Sequence, residues 1–334
     1  MSTAAAVHTI VGALASIEEH VGAPPEWVAV TESQATFLRE VYAVCRPEVK
    51  HISEIESCGS TNAVELNAFA ARRGLAVSFE PFGPDAAGAL SVLDLRIAWT
   101  APGCPTTVVS HDQHQFPAVR LPESQVTFRR ALSHAAPIAV ISTLSGDAVY
   151  LTPLAAPRSD LVALVRRLTN EFSADGDFGG VVFPMVDLGV QHDLDFIGGL
   201  ATRTADGRAL QVAAAEQKLS LQMNEHGARA EALTRMEFLA STKSSPPPDL
   251  VINAPFLVWI LRPSLAAPLF VGHVTREDWR TPGSLASRLS KPGTSGRGGP
   301  SRRRGSFCRE AHRGYDSRGR NETLALACFH RKGD

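Results

Sequence analysis

The chain has 334 residues, 44% of them hydrophobic, so it can bury a large core as one big domain or two ordinary ones, and a wholly disordered protein is excluded. Lys and Arg number 33 against 34 Asp and Glu, and a formal charge of -1 points to no nucleic-acid or membrane-surface partner for the chain as a whole. Five cysteines (Cys45, Cys58, Cys104, Cys308, Cys328) form no CxxC pair and no metal-ligand spacing, which reads as ordinary thiols rather than a disulfide or metal framework.

Residues 6 to 20 predict a helix, with Ile10, Val11, Leu14 and Ile17 spaced for one face. "WVAVTESQATFLREVYAVC" predicts a short strand at 27 to 30, then a helix whose Phe37, Leu38, Val41 and Val44 face inward. In "STNAVELNAFAARRG", Ser60 or Thr61 can cap a helix that packs Leu66, Phe69 and Ala70, and Gly74 can close it. "ALSVLDLRIAW", 89 to 99, is apolar enough through Leu90, Val92, Leu93, Leu95 and Ile97 to be a central strand.

"IAVISTLSGDAVYLTPL" reads as two strands around a turn at 145 to 147. Ser159 then caps a helix keeping Leu161, Leu164, Val165, Leu168 and Phe172 on one face. "VVFPMV", 181 to 186, is a strand in which Pro184 implies an edge or a bulge, and a short helix passes through Leu194 and Ile197. "LQVAAAEQKLSLQMN" approaches the next loop as a strand, with Leu219, Leu221 and Met223 opposite Lys218, Ser220 and Gln222. The apolar hairpin "DLVINAPFLVWILR...PLFVGHV" closes the body. Strands and helices mix without regular alternation, which predicts α+β architecture rather than a doubly wound sheet.

No basic start with a long apolar segment opens the chain, so no secretory leader is expected. No run of 18 apolar residues occurs, and Asn253 and Arg262 interrupt the most apolar region. The division expected is a folded body over 1–283 and a basic, Gly/Ser/Arg-rich disordered tail over 284–334.

The stretch "NEHGARAEALTRMEFLASTKSSPPPD" carries small residues at every second place: Ala228, Ala230, Ala232, Thr234. An extended segment that is nearly bare on one side can enter a gap between two strands, because its inward side chains need little room in a dense core. Insertion of about 14 residues would carry the following chain roughly 45 Å, and a dozen new ladder bonds would favour it by on the order of 10 kcal/mol. Gly227 supplies backbone freedom for a hinge. An alanine-rich helix also fits 228 to 238, since Ala, Arg, Glu and Leu are good helix formers.

"NEHGARAEALT" followed by "APFLVWILRPSLAAPLFVGHV" resembles the reactive-loop hinge and C-terminal strands of a serpin, a serine protease inhibitor. "LNAFAARRG" is similar to the helix across the front of the serpin main sheet, and "VLDLRIAW" to the central strand ending in the sheet-top tryptophan, Trp99. The resemblance spans about residues 8 to 275. It implies a large mixed central β-sheet with smaller sheets, surface helices and an exposed reactive loop. The hinge would be Glu225, Gly227, Ala228, Ala230, Ala232 and Thr234, and the scissile-bond candidates Thr242, Lys243 and Ser244. Counting from the hinge places the cut near Ser241 and counting back from Pro255 places it near Ser244, so the loop is slightly long. The implied partner is a serine protease, trypsin-like if Lys243 is used, with no cofactor, no metal, no nucleic acid, no membrane and a monomeric state. Family members are often extracellular; the sequence leaves the compartment open.

The chain also departs from the family. Met1 falls several helices into the serpin fold, so N-terminal helices are expected to be missing, with the serines under the mid-sheet shutter. Gln217 takes the place of the shutter histidine. Met185 stands where a lysine often pairs with the hinge glutamate, leaving Glu225 without that partner.

His111 and His114 in "HDQHQF" have metal-like spacing without a third ligand, which favours a solvated loop. No Gly-x-Ser-x-Gly elbow supports hydrolase chemistry. "SRRRG" at 301 to 305 lacks interleaved aromatics, and the sequon Asn321-Glu322-Thr323 is read as a chance match.

Overall fold

A computed structural model describes residues 2–22, 26–95, 97–158, 160–174, 176, 178–228 and 247–282. Strand β1 (Thr3–Ala5) leads into helix α1 (Val7–Val21), which buries Ile10, Val11, Leu14 and Ile17 as their spacing requires. Val28 makes a single bridge to Ala201 in place of the predicted strand at 27 to 30. The next helix is interrupted: α2 (Glu32–Phe37) and α3 (Ala43–Val49) flank a π-helical turn over Leu38–Tyr42. A π turn shifts the helical period by one residue. The inward face therefore passes to Tyr42 and Cys45, and Val44, expected inside, is 47% exposed.

Strand β2 (Ile55–Ser60) runs into α4 (Ala63–Arg72), capped by Asn62 through a 2.9 Å bond from the Val64 amide. Ser60, one of the two predicted caps, instead donates to Glu65, and Thr61 does not cap either. Leu66, Phe69 and Ala70 pack against Leu90. The predicted strand 89 to 99 is divided into β3 (Ala86–Leu93) and β4 (Ile97–Ala98), with the Asp94 amide still bonded to the Glu54 carbonyl in register with β2.

β5 (Cys104–Val109) pairs with β6 (Gln115–Pro122). β7 (Val126–Ala131), β8 (His134–Ser142) and β9 (Ala148–Pro153) form a meander whose last turn is the predicted one at 145 to 147. α5 (Leu161–Asn170) buries the predicted leucine face from an Asp160 N-cap, and Ser159, the predicted cap, lies outside the described residues. After β10 (Ser173–Ala174) come β11 (Gly180–Pro184) and β12 (Val186–Asp193). Pro184 pairs with Ala118 of β6 on one side and lies beyond the short ladder with β16 on the other, a local edge as expected. It ends β11, and at Met185 the chain leaves one sheet for another.

A single 3₁₀ turn, Asp195–Ile197, replaces the predicted helix through Leu194. The remaining strands are β13 (Ala201–Arg203), β14 (Ala209–Met223), β15 (Gly227–Ala228), β16 (Leu250–Val251), β17 (Phe256–Leu261) and β18 (Phe270–Val274).

The strands form a five-stranded main sheet (β12-β14-β3-β2, with β13 on β14), a seven-stranded sheet (β1-β18-β17-β9-β8-β7-β10), a four-stranded sheet (β16-β11-β6-β5) and the pair β15-β4. Two pairings are parallel, β3 with β14 and β11 with β16. The run "FLVWIL" is apolar throughout because β17 is covered on both faces. Phe256, Val258 and Ile260 enter the core shared with the main sheet, while Leu257 and Trp259 meet Leu164 and Leu168 of α5. In β14 a register shift between Val212 and Ala214 changes which parity points inward, from Leu210 and Val212 to Ala215, Gln217, Leu219, Leu221 and Met223. Helix α1 lies close on β2 because Gly59 leaves room: a Cβ there would sit 2.4 Å from the Ile17 amide nitrogen. Glu18 of α1, buried, accepts a 2.7 Å bond from Arg46 Nε and so ties α1 to α3.

Candidate functional site

The predicted loop leaves the main sheet from β14. The parallel ladder between β14 and β3 runs from Gln211 opposite Ala86 to Lys218 opposite Val92 and stops there, while β14 continues to Met223. Above that point β14 keeps its other neighbour, β12, up to Val186 opposite Met223. The β3-facing edge of β14 above Lys218 is thus outside the ladder, directly below the start of the loop.

Beyond Met223 the chain turns. The Asn224 amide donates to the Gly227 carbonyl at 2.9 Å and the Gly227 amide returns a bond to the Asn224 carbonyl at 3.2 Å. Gly227 and Ala228 then run antiparallel to Ala98 and Ile97. The turn is docked on the residues after β3. Trp99 Nε1 donates to the Asn224 carbonyl at 2.9 Å, the Trp99 amide to the His226 carbonyl at 3.2 Å, and the Gly103 amide to the Glu225 carbonyl at 2.7 Å. Trp99 itself is buried and meets Phe183 edge to face, centroids 6.1 Å apart. Trp99 thus bonds to the Asn224–Gly227 turn through both its ring and its backbone.

Met185 is buried in the core, and the Glu225 carboxylate lies 3.5 Å from His226 Nε2. Gly227 has φ of 136°, a conformation side chains disfavour, and its α-carbon is packed against the Ile97 carbonyl. Of the remaining hinge and cleavage residues, Ala230, Ala232, Thr234, Thr242, Lys243 and Ser244 lie outside the described residues, and with them the choice between an extended loop and an alanine-rich helix.

The chain is described again from Pro247, and there a second anchor begins. Asp249 receives a two-pronged contact from Arg120 of β6, Nε to Oδ2 at 2.6 Å and Nη2 to Oδ1 at 3.0 Å, and β16 pairs parallel with β11. The hydrogen bond to Asp249 raises the Arg120 pKa above the ordinary guanidinium value. No sequence signal marked this pair, which joins positions far apart in the chain.

Lower in the seam, Ser57, Ser91, Gln217 and His192 occupy one register row across β2, β3, β14 and β12. Gln217, buried, donates from Nε2 to the Ala6 carbonyl at 2.7 Å and to Thr9 Oγ1, and Ser57 and Ser91 share a 2.8 Å hydroxyl bond. Serines were expected to be lacking beneath the sheet centre; the place is not apolar, since Thr9 of α1 meets Gln217 there. His111 and His114 lie exposed at the β5–β6 turn, and His114 Nδ1 is 3.4 Å from Asp112. Ser110 and the neighbouring Arg276 hold the Asp112 carboxyl below the ordinary range.

A five-stranded sheet whose parallel central seam opens beneath a strand-to-loop turn, backed by a larger antiparallel sheet, decides the architecture. The chain has the serpin fold. The serpin family model, described as serine protease inhibitor, matches residues 170–276, the part that runs from β10 through the loop to β18. Native protease nexin-1 with heparin superimposes with TM-score 0.54 at 13% identity, covering 83% of this chain and 93% of that one. A serpin from Schistosoma mansoni gives 0.53 at 12% over 82% and 95%, and human thyroxine-binding globulin with its hormone 0.51 at 14% over 82% and 91%. No curated protein matches the chain in sequence. The serpin resemblance read from the hinge and the C-terminal strands is thus borne out in family model and fold. No helix among the described residues is long and apolar enough to cross a membrane.

Proposed function

We propose that the chain is a serine protease inhibitor of the serpin type, a suicide substrate rather than an enzyme. A protease attacks the loop near Thr242, Lys243 or Ser244 and forms an ester with the residue before the cut. Insertion of the small-residue face beginning at Ala228 between β3 and β14 then carries the tethered enzyme away before water releases it. Lys243 suits a trypsin-like pocket. The outcome is a race between insertion and deacylation, and a long loop inserts with slack, which weakens the trap.

The observation that carries this reading is where the β3–β14 ladder ends. β14 runs into the loop where its β3-facing edge has left the ladder, and the Asn224–Gly227 turn is fastened by a few single hydrogen bonds, each worth about 1 kcal/mol. A dozen ladder bonds gained on insertion exceed that cost. The anchor at Asp249 meanwhile keeps the chain beyond the cut on β11 and β6.

The test is incubation of the full chain with trypsin. A covalent complex stable in SDS is expected, and Ala228→Arg or Ala230→Arg should convert inhibition into simple cleavage. Cleavage near Lys243 with no trapped enzyme would reject the reading.

A second reading is a non-inhibitory binding protein on the same fold. It is favoured by a cavity of about 450 Å³ between α5, β9 and the β17–β18 loop, lined by Tyr150, Val165 and Leu261 together with Arg166, Asn170 and Arg262, and by the fold's occurrence in thyroxine-binding globulin. Saturable uptake of an aromatic ligand without protease trapping would select it.

A further inference from the structure

Below the main sheet, α1 and α3 bring three metal-ligating side chains together: His8 in the first turn of α1, and Cys45 and Glu48, three residues apart on one face of α3. Their ligand atoms lie within 4.8 Å of one another. His8 is fully buried, Cys45 is 2% exposed, and the Glu48 side chain, 18% exposed, forms the side open to solvent. His8 Nε2 lies 2.9 Å from one Glu48 oxygen, and the other oxygen accepts the Ala266 amide at 2.9 Å. His8 Nδ1 is buried and has no hydrogen-bond partner among the described residues. Nε2, on the Glu48 side of the ring, is the nitrogen placed to share an ion with that carboxylate.

We propose that His8, Cys45 and Glu48 form a binding site for a divalent transition metal of the zinc class, with water as the fourth ligand. The donor set decides the class. Thiolate and imidazole suit Zn²⁺ and Co²⁺, whereas Ca²⁺ and Mg²⁺ call for oxygen alone. Zn–N and Zn–S bonds of about 2.0 to 2.3 Å place tetrahedral ligands roughly 3.3 to 3.8 Å apart, a span the cluster reaches with small side-chain shifts.

Charge fits as well. With the ion bound, a thiolate and a carboxylate offset its two positive charges beside a neutral imidazole, so the buried group is neutral overall. Binding requires the thiolate, so the Cys45 thiol gives its proton to solvent as the ion enters. The ion would cross-link α1 to α3, one residue from Thr9, which meets Gln217 in the main sheet.

The test uses Co²⁺ and Zn²⁺ on the full chain and does not depend on protease inhibition. Expected are one Co²⁺ per chain with a thiolate-to-cobalt absorption band, displacement by Zn²⁺, release of one proton per ion, and a higher unfolding temperature with Zn²⁺. Cys45→Ser should remove the band and Cys58→Ser should keep it. Should Cys45→Ser fail to fold, the chain with Cys58, Cys104, Cys308 and Cys328 all replaced by Ser must retain the band through Cys45 alone. Absence of a band in the unaltered chain, its survival in Cys45→Ser, or its loss in the four-serine chain would overturn the site.

Discussion

Gly227 lies so close to Ile97 that a β-carbon on it would stand 2.2 Å from the Ile97 carbonyl oxygen. With φ at 136°, the position is doubly restricted to glycine. Gly227→Ala should therefore loosen the β15–β4 pairing and cost about 1–3 kcal/mol. Hydrogen exchange checks it, since the Trp99 and Gly103 amides, which bond to the turn, should lose protection. Unchanged protection would show that the turn tolerates a side chain.

Arg262 joins two sheets. It reaches Asp147 at 2.8 Å from the β8–β9 turn and Glu54 at 2.6 Å just before β2, and the Asp147 side chain is only 1% exposed. Arg262→Met leaves that carboxylate buried without its cation. Loss of about 3 kcal/mol is expected in denaturant unfolding, because removing one partner of a buried pair costs more than the pair contributes.

The same contact predicts a pH dependence. The hydrogen bond from Arg262 holds the Glu54 carboxyl below the ordinary range. A depressed folded-state pKa adds stability above the unfolded value of about 4.3, and this is lost as pH falls through the lower folded value. Stability should drop on acidification below about pH 4.3, with a smaller drop in Arg262→Met. Equal acid sensitivity in the two proteins would remove Glu54 as a source.

Gln217 is the polar contact between β14 and α1. Gln217→Ala removes its bonds to the Ala6 carbonyl and Thr9 and leaves a gap under the seam. A loss of about 1–3 kcal/mol is expected. If the seam opens for the loop, spontaneous passage to an uncleaved, inactive and more heat-resistant form should also accelerate, read by native gel after warming.

Much of the site could be seen in the sequence because its signals are local. Gly227 needs only its neighbours to be read as a hinge glycine, and "FLVWIL" reads as part of an apolar hairpin from its composition alone. Helix faces followed the same logic wherever the period stayed regular. Val44 shows the limit: one π turn moved the inward face, and nothing in "LREVY" marks it.

Sequence by itself determined the mixed α+β class, the apolar hairpin that closes the body and the likeness to a serpin hinge, since residue spacing of two or near four encodes which face meets the core. Tertiary structure alone decided which partners those faces meet. Arg120 reaches Asp249, Arg262 reaches Asp147 and Glu54, and His8 meets Cys45 and Glu48 across long separations. Such contacts arise from how whole sheets and helices stack, and spacing along the chain carries no record of that.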